Sequence, residues 1–348
     1  MQGCRYRFAV WAGRFQPFHY GHATALKRGL ALADHLIVVI GSSRRPRSPL
    51  NPWTAAEREE MIRGSSEAAR AGRVHFLHLQ DHLYNDDLWA AEVGRKVAEA
   101  AAGLGGGGPV TLLGPSRDEE AWRGRFPHWP FEPVPVVPAL EGEAFRAAYF
   151  SGIGRSNWAV ALPRSVSAFL RSWEATPEYG NLADEWSQIA AYRARWSQAP
   201  FPVVFTTVDT LVLKSGHALL VRRRAHPGKG LLALPGGFLD AEGDRSLRAG
   251  ALRELREETG ITVADADLLQ SIRAERAFDA PERSLRGRTI THVVCMDLGE
   301  GPLPEVQGGD DASQALWVAL ADLREHPEEL FEDHADIIAN LTQAGSEV

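Results

Sequence analysis

Gly236-Gly237, followed after a gap by Arg253-Glu254-Leu255-Arg256-Glu257-Glu258-Thr259-Gly260-Ile261, is the stretch on which the reading of this chain turns. On a helix, Glu254, Glu257 and Glu258 stand at i, i+3 and i+4, so three carboxylates share one face. Leu247, Ala251 and Leu255 step by four along a different face and are placed to be buried. Like charges crowded in this way cost free energy unless a cation sits among them. Oxygen-only ligands of high charge density suit Mg²⁺ or Mn²⁺. A solvated acidic surface is the ordinary reading of a Glu-Glu pair. The order Gly-Gly, Arg-Glu, Glu-Glu, Gly-Ile is more specific than charge alone and argues for a site.

A second phrase lies at the other end of the chain. Phe8-Ala9-Val10-Trp11-Ala12 reads as a buried strand, and Gly13-Arg14-Phe15-Gln16-Pro17-Phe18-His19-Tyr20-Gly21-His22 follows it. Leu26, Leu30 and Ala33 then mark the apolar positions of an amphipathic stretch. A strand, a Gly/Pro loop and a helix start make a phosphate cradle, because free N–H groups and the helix dipole face the anion. His19 and His22 can donate hydrogen bonds to phosphate oxygens there without a permanent charge. Two core histidines are the plain alternative.

Both phrases resemble known signatures. The run from Leu234-Pro235-Gly236-Gly237 to Ile261 resembles the Nudix box, carried by enzymes that hydrolyse nucleoside diphosphates linked to another group. The family pattern places a glutamate seven residues before its Arg-Glu; the corresponding residue here is Arg245, so Glu242 or Asp244 is expected to stand in. His19-Tyr20-Gly21-His22 resembles the HxGH motif of nucleotidyltransferases, and the whole phrase resembles the nicotinamide mononucleotide (NMN) adenylyltransferases.

Further segments follow in order: Gly41-Ser42-Ser43 after an apolar strand at residues 36–40, then Asn51-Pro52-Trp53-Thr54 with Glu57-Arg58. Asn85-Asp86-Asp87-Leu88-Trp89 resembles the family segment whose Trp stacks on the nicotinamide ring, although a Trp anchoring a helix is an equal reading of residue type. Leu112-Leu113-Gly114-Pro115-Ser116-Arg117-Asp118 resembles a segment that usually reads Gly-His-x-Lys-Asp, with Pro115 and Arg117 at the His and Lys places. Residues 141–146 depart most. Relatives carry Ser-x-Thr-x-x-Arg, whereas this chain has Glu141-Gly142-Glu143-Ala144-Phe145-Arg146. Arg146 is kept, but a carboxylate at either hydroxyl position repels a triphosphate.

Read in order, the chain resembles over nearly its full length the bacterial bifunctional proteins that join an NMN adenylyltransferase to a Nudix ADP-ribose pyrophosphatase. That resemblance implies an α/β fold: an N-terminal Rossmann-like nucleotidyltransferase domain and a C-terminal Nudix α/β/α sandwich. It implies catalytic roles for His19, His22, Glu257 and Glu258, and ATP or NMN binding by Gly13, Arg14, Phe15, Asn85, Trp89, Arg117, Asp118 and Arg146. ADP-ribose would meet Gly236, Gly237, Arg276, Arg283 and Arg288, and Arg286 is read with them on a loop at residues 273–291. A mobile basic surface loop explains those arginines equally well. Glu254, Glu257 and Glu258 would hold Mg²⁺ or Mn²⁺. The small-molecule partners would be ATP, NMN, NAD and ADP-ribose, and self-association into a homo-oligomer is left open. Two rival readings remain: an ADP-ribose-sensing module, which tends to lose glutamates that this chain keeps, and a non-catalytic or weakly active first half.

Composition sets the bounds. With 348 residues the chain has room for two cores. It is 44% hydrophobic and 24% charged, and its net charge of −7 argues against a nucleic-acid surface. Arg44-Arg45-Pro46-Arg47 is too short to reverse that. Cys4 and Cys295 supply neither a disulfide framework nor a zinc spacing, so a cytoplasmic setting is expected. No stretch of about 18 apolar residues suggests a membrane span, and the strand-like start leaves no room for a signal peptide. Alternating strand and helix patterns up to about residue 138 read as a parallel sheet. The expected domains are residues 1–158, a helical bridge at 159–200, and residues 201–348. Strands are expected at 203–208, 218–221 and 316–318, with a turn at Ser215-Gly216 and a last helix near 333–341.

Overall fold

The computed structural model describes residues 4–134, 142–152, 160–309 and 312–343, and the chain divides into two compact units, residues 1–186 and 187–348. Glu141 and the expected boundary at residue 158 lie outside the described residues. The unit division falls at 186/187, so the stretch read as a separate bridge is shared between the two units.

The first unit is built on five parallel strands: β1 (Tyr6–Gly13), β2 (Ala33–Ile40), β3 (Val74–His78), β4 (Val110–Pro115) and β5 (Phe131–Val134), in the order β3-β2-β1-β4-β5. A parallel sheet covered on both faces needs near-continuous apolar strands. In β1, Ala9 and Trp11 enter one core while Phe8 and Val10 enter the other. Leu36, Ile37 and Ile40 in β2 are all fully buried, each contributing roughly 1.5–3 kcal/mol of transfer free energy. Ala33 opens β2 and does not extend the preceding helix, which ends at Leu32. Strand order reverses between β1 and β4, and in such sheets the crevice outside the carboxyl ends at that point takes the ligand. The loop after β1 therefore emerges at the functional edge. Helices Gly142–Ser151 and Arg164–Trp173 add Phe145, Tyr149, Leu170 and Trp173 to one of these cores.

The second unit carries a seven-stranded sheet. β6 (Val204–Lys214), β7 (His217–Arg223), β10 (Ile272–Phe278), β11 (Arg288–Asp297) and β12 (Ala312–Ala319) run in the order β10-β11-β6-β7-β12. Short β8 (Leu232–Ala233) and β9 (Gly236–Phe238) pair with β7 and β6. Among the described residues of this sheet the β11–β6 ladder is parallel and the other ladders are antiparallel. Ser215 and Gly216 both adopt positive φ between β6 and β7, the backbone that a two-residue hairpin requires. Residues 273–291, expected as a loop, instead form most of β10, a turn and the start of β11.

Helix Leu247–Thr259 packs Ala251 and Leu255 against Val208, Val212 and Val294 of the sheet. Ser246 caps its start by accepting the Ala249 N–H at 3.1 Å, and Gly260 ends it in the left-handed conformation.

Candidate active sites

In the first unit the loop after β1 is fastened by residues that the sequence reading named without giving them this role. Arg58 is fully buried and its guanidinium donates to the carbonyls of Arg14 and Gly41 at 2.7 Å, Ser42 at 3.0 Å and Thr54 at 3.1 Å. Burial draws its pKa down to about 10, so it stays charged at neutral pH. Gln16 clamps the loop to Trp53 by donating to its carbonyl and accepting its N–H. Phe15 takes a left-handed backbone (φ 51°) and folds its ring beneath Gly13, where a Cβ would lie 2.9 Å from the ring. That contact is why Gly13 carries no side chain. Arg146 reaches across from helix Gly142–Ser151 and donates to the Gln16 carbonyl at 2.8 Å.

His19 and His22 cap helix Tyr20–Leu32 reciprocally. The His22 N–H donates to His19 Nδ1 at 3.2 Å, and the His19 N–H donates to His22 Nδ1 at 3.3 Å. Their rings stack at 3.6 Å. An accepting Nδ1 fixes the neutral tautomer, with the proton on Nε2. Burial lowers His19 to about 4, and burial together with His19 holds His22 well below its usual value, with the Pro17 carbonyl opposing. Both rings are therefore uncharged donors at pH 7.

The other expected residues of this unit spread out. Arg14 is exposed on the loop. Asn85 caps helix Asp86–Gly103 through the Leu88 N–H, and Trp89 packs among Trp122 and Phe126 at 5.9 and 6.2 Å. Arg117 and Asp118 lie just beyond β4, with 3.8 Å between their charged groups. Glu143 is exposed in the first turn of its helix.

In the second unit a cleft of about 530 Å³ brings Glu254, Glu257 and Glu258 together with Gly236 and Gly237. Glu258 is the innermost carboxylate and accepts the Gly236 N–H at 3.0 Å. Burial lifts its pKa to about 8, opposed by that N–H and by Arg223, while Glu254 and Asp209 add to the rise. Glu254 is also raised, chiefly by burial. A Cβ on Gly237 would fall 2.6 Å from Glu254 Oε1, and one on Gly236 would fall 2.3 Å from Asp209 Oδ1. The glycine pair is what lets backbone reach the carboxylates. Arg253 binds Glu254 and Glu257, each at 2.9 Å, and pairs with both oxygens of Asp244 at 2.8 and 2.9 Å. Of the two acidic residues expected to order this loop, Asp244 is the one that meets the helix; Glu242 is exposed.

Among the described residues no three carboxylate, imidazole or thiol groups converge into a ready metal cage. The donor set nonetheless fits a hard divalent cation: oxygen-only, clustered on one face, and short of positive charge at Glu258.

The arginines divide sharply. Arg283, expected at the substrate, forms a two-point ion pair with Asp333 at 2.9 and 3.0 Å, with both side chains at most 2% exposed. Its guanidinium is committed to the interior. Arg276 bonds the Asn340 side chain and Arg288 lies 3.6 Å from Asp279; neither lines the cleft. Arg286 does line it, above the Phe238 ring at 5.2 Å, and so does Arg223, which the sequence reading missed. Tyr192 and Arg195, at the end of helix Pro177–Arg195, close another side, with Tyr192 nearly parallel to Phe238 at 6.2 Å. The run Arg222-Arg223-Arg224 at a strand end was the available signal for Arg223.

Residues 205–341 match the NUDIX domain family, and residues 10–88 match the cytidylyltransferase-like family. A nicotinamide-nucleotide adenylyltransferase of Saccharolobus solfataricus is 41% identical over 46% of this chain and 88% of its own length. An ADP-ribose pyrophosphatase of Methanocaldococcus jannaschii is 34% identical over 38% of this chain and 69% of its own. A crystal structure of a bifunctional NMN adenylyltransferase/ADP ribose pyrophosphatase from Francisella tularensis, complexed with AMP and a manganese ion, is 31% identical. It superimposes with a TM-score of 0.90, covering 97% of this chain and 99% of that one. With both folds matched in one continuous chain, the protein belongs to the family of bifunctional NMN adenylyltransferase/ADP-ribose pyrophosphatases.

Proposed function

We propose that the first unit transfers the adenylyl group of ATP to NMN, giving NAD and pyrophosphate, and that the second hydrolyses ADP-ribose to AMP and ribose 5-phosphate. The observation that supports the pairing best is whole-chain likeness to one bifunctional protein, with a phosphate cradle in one unit and a carboxylate cleft in the other.

In the first reaction the NMN phosphate attacks the α-phosphorus of ATP in line, and pyrophosphate leaves. Such chemistry needs positioning and charge neutralisation, not a covalent intermediate. His19 and His22 act as neutral Nε2–H donors at the helix start, and Arg14 and Arg146 supply the permanent charge. Because Arg146 also holds the Gln16 carbonyl, it sets the loop as well as facing phosphate.

In the second reaction Glu254, Glu257 and Glu258 would hold the divalent cation, Mg²⁺ or Mn²⁺. When bound, that cation polarises the diphosphate and lowers the pKa of a water nucleophile. Around it this chain's residues orient. The Gly236 N–H fixes Glu258, Asp244 anchors Arg253, and Arg223 and Arg286 face the anionic diphosphate across the cleft. Glu254 and Glu257, paired here with Arg253, would be ligands of that cation. A cleft of about 530 Å³ lies within the range of small-molecule sites.

The test is incubation with ADP-ribose and, separately, with NMN plus ATP, each with Mg²⁺ or Mn²⁺, and chromatography of the products. AMP with ribose 5-phosphate is expected in the first tube, NAD with pyrophosphate in the second. Unchanged ADP-ribose with both metals removes the hydrolase reading; unchanged NMN removes the transferase reading.

A further inference from the structure

Three successive residues lead into the carboxylate cleft, and each is tied to a different part of the second unit. The Leu234 N–H donates to His334 Nδ1 at 2.9 Å. The Pro235 carbonyl accepts the Thr210 N–H at 2.8 Å. The Gly236 N–H donates to Glu258 at 3.0 Å. Proline fixes φ between the first anchor and the third, which limits how independently Leu234 and Gly236 can move.

His334 is itself held rigidly. It is 4% exposed, and its own N–H donates to the Phe331 carbonyl at 3.0 Å. The neighbouring Asp333 is locked by the buried pair with Arg283. Immediately upstream, the Phe331 N–H donates to the Leu232 carbonyl at 2.8 Å, and Leu330 bridges to Leu232. The segment Leu330–His334 is thus a template against which residues 232–236 are laid.

We propose that His334 is a positioning residue for the hydrolytic site: its Nδ1 holds the Leu234 amide, and through Pro235 this sets the Gly236 N–H that orients Glu258. The inference rests on the assignment of ADP-ribose hydrolysis to this cleft. Burial pulls the imidazole down to about 3, so the accepting lone pair persists throughout the neutral range. A protonated ring would have no acceptor to offer.

The experiment uses the full chain with His334→Ala and His334→Asn, because an Asn Oδ1 can occupy the place of Nδ1 and accept the same N–H. Four quantities are read: kcat and KM for ADP-ribose at saturating Mn²⁺, Mn²⁺ affinity by calorimetry, amide exchange at Leu234, and adenylyl transfer as a control for the other unit. Residues that orient a metal ligand change activity or metal affinity by about 10- to 100-fold. His334→Ala should therefore lower kcat, and weaken Mn²⁺ binding, by about that factor while KM stays within about threefold. Exchange at Leu234 should accelerate and adenylyl transfer should be unchanged. His334→Asn should recover most of the loss. Equal losses in the two variants, or an Ala variant with unchanged kcat and Mn²⁺ affinity, overturn the proposal. If the wild-type chain binds Mn²⁺ but leaves ADP-ribose intact, the functional reading fails on its own, and the Mn²⁺ and exchange comparisons still decide the role of His334. If the Ala variant does not fold, the Asn variant decides it: near-wild-type Mn²⁺ affinity and Leu234 protection uphold the role, and their loss overturns it.

Discussion

Around residues 13–22 the side chains that shape the loop are either uncharged or paired within the chain. His19 and His22 are neutral and accept each other's backbone N–H, and the buried Arg58 is surrounded by four carbonyl oxygens. Around residues 254–258 the balance is incomplete, because Glu258 sits in the interior with one N–H and a pKa near 8. Both sites are read as handling nucleotide phosphates, yet they begin from opposite electrostatic conditions. The first is a finished mould that an anion can enter. The second keeps its innermost carboxyl largely protonated at neutral pH, so its full set of carboxylates forms only when added positive charge takes the proton's place.

The strongest way to break this contrast is Glu258→Gln. ADP-ribose hydrolysis should fall at least about 100-fold, or about 2.7 kcal/mol of barrier, with Mn²⁺ binding weakened in parallel. Adenylyl transfer should stay within about twofold. Near-wild-type turnover at saturating Mn²⁺ would contradict the assignment.

His22→Ala probes the other side. Loss of an oriented donor to the transferring phosphates should cost adenylyl transfer about 10- to 100-fold, near 1.4–2.7 kcal/mol, with NMN binding much less affected. Hydrolysis of ADP-ribose should not change. A fall in both activities would assign the histidine a structural role.

The incomplete balance at Glu258 makes a pH prediction with a definite sign. Its folded pKa, about 8, lies above its unfolded value near 4.5, so the metal-free folded state holds an extra proton between those limits. Stability from this group is present at low pH and is lost as pH rises from about 4.5 to about 8. A cation binds the deprotonated form, so Mn²⁺ affinity should rise by up to about tenfold per pH unit from 6 towards 8 and then level. Calorimetry at several pH values should detect the released proton. A flat affinity profile would mean that Glu258 is not a ligand.

The smallest effects sharpen the arginine assignments. Arg286→Ala, within the cleft, should raise KM for ADP-ribose about five- to tenfold, roughly 1 kcal/mol. Arg276→Ala and Arg288→Ala should leave it within about twofold. Steady-state kinetics on the three variants would reverse the assignment if that order inverted.

These residues also mark where sequence stopped being informative. The glutamate face was legible because helical spacing alone puts residues 254, 257 and 258 together, and the β1 loop because its motif is contiguous. Arg283 was misplaced because its partner, Asp333, is fifty positions away and carries no periodic signal. β10 was read as loop since most of its residues are exposed and its charged residues Arg273, Glu275 and Arg276 follow no alternation. The role of Arg58, named only as part of a segment, and the residue His334 escaped for a related reason. They act on backbone carbonyls and amides, and the sequence does not spell out which backbone groups will meet them.

Tyr192 and Arg195 have a consequence for anyone who would move the hydrolase elsewhere. The NUDIX match starts at residue 205, yet the cleft is walled in part by a helix that ends ten residues earlier. A gene fragment cut at the homology border would encode every glutamate and leave one side of the cleft open to water. The heritable module and the working part have different ends, and a graft intended to keep its substrate should begin before Gln188.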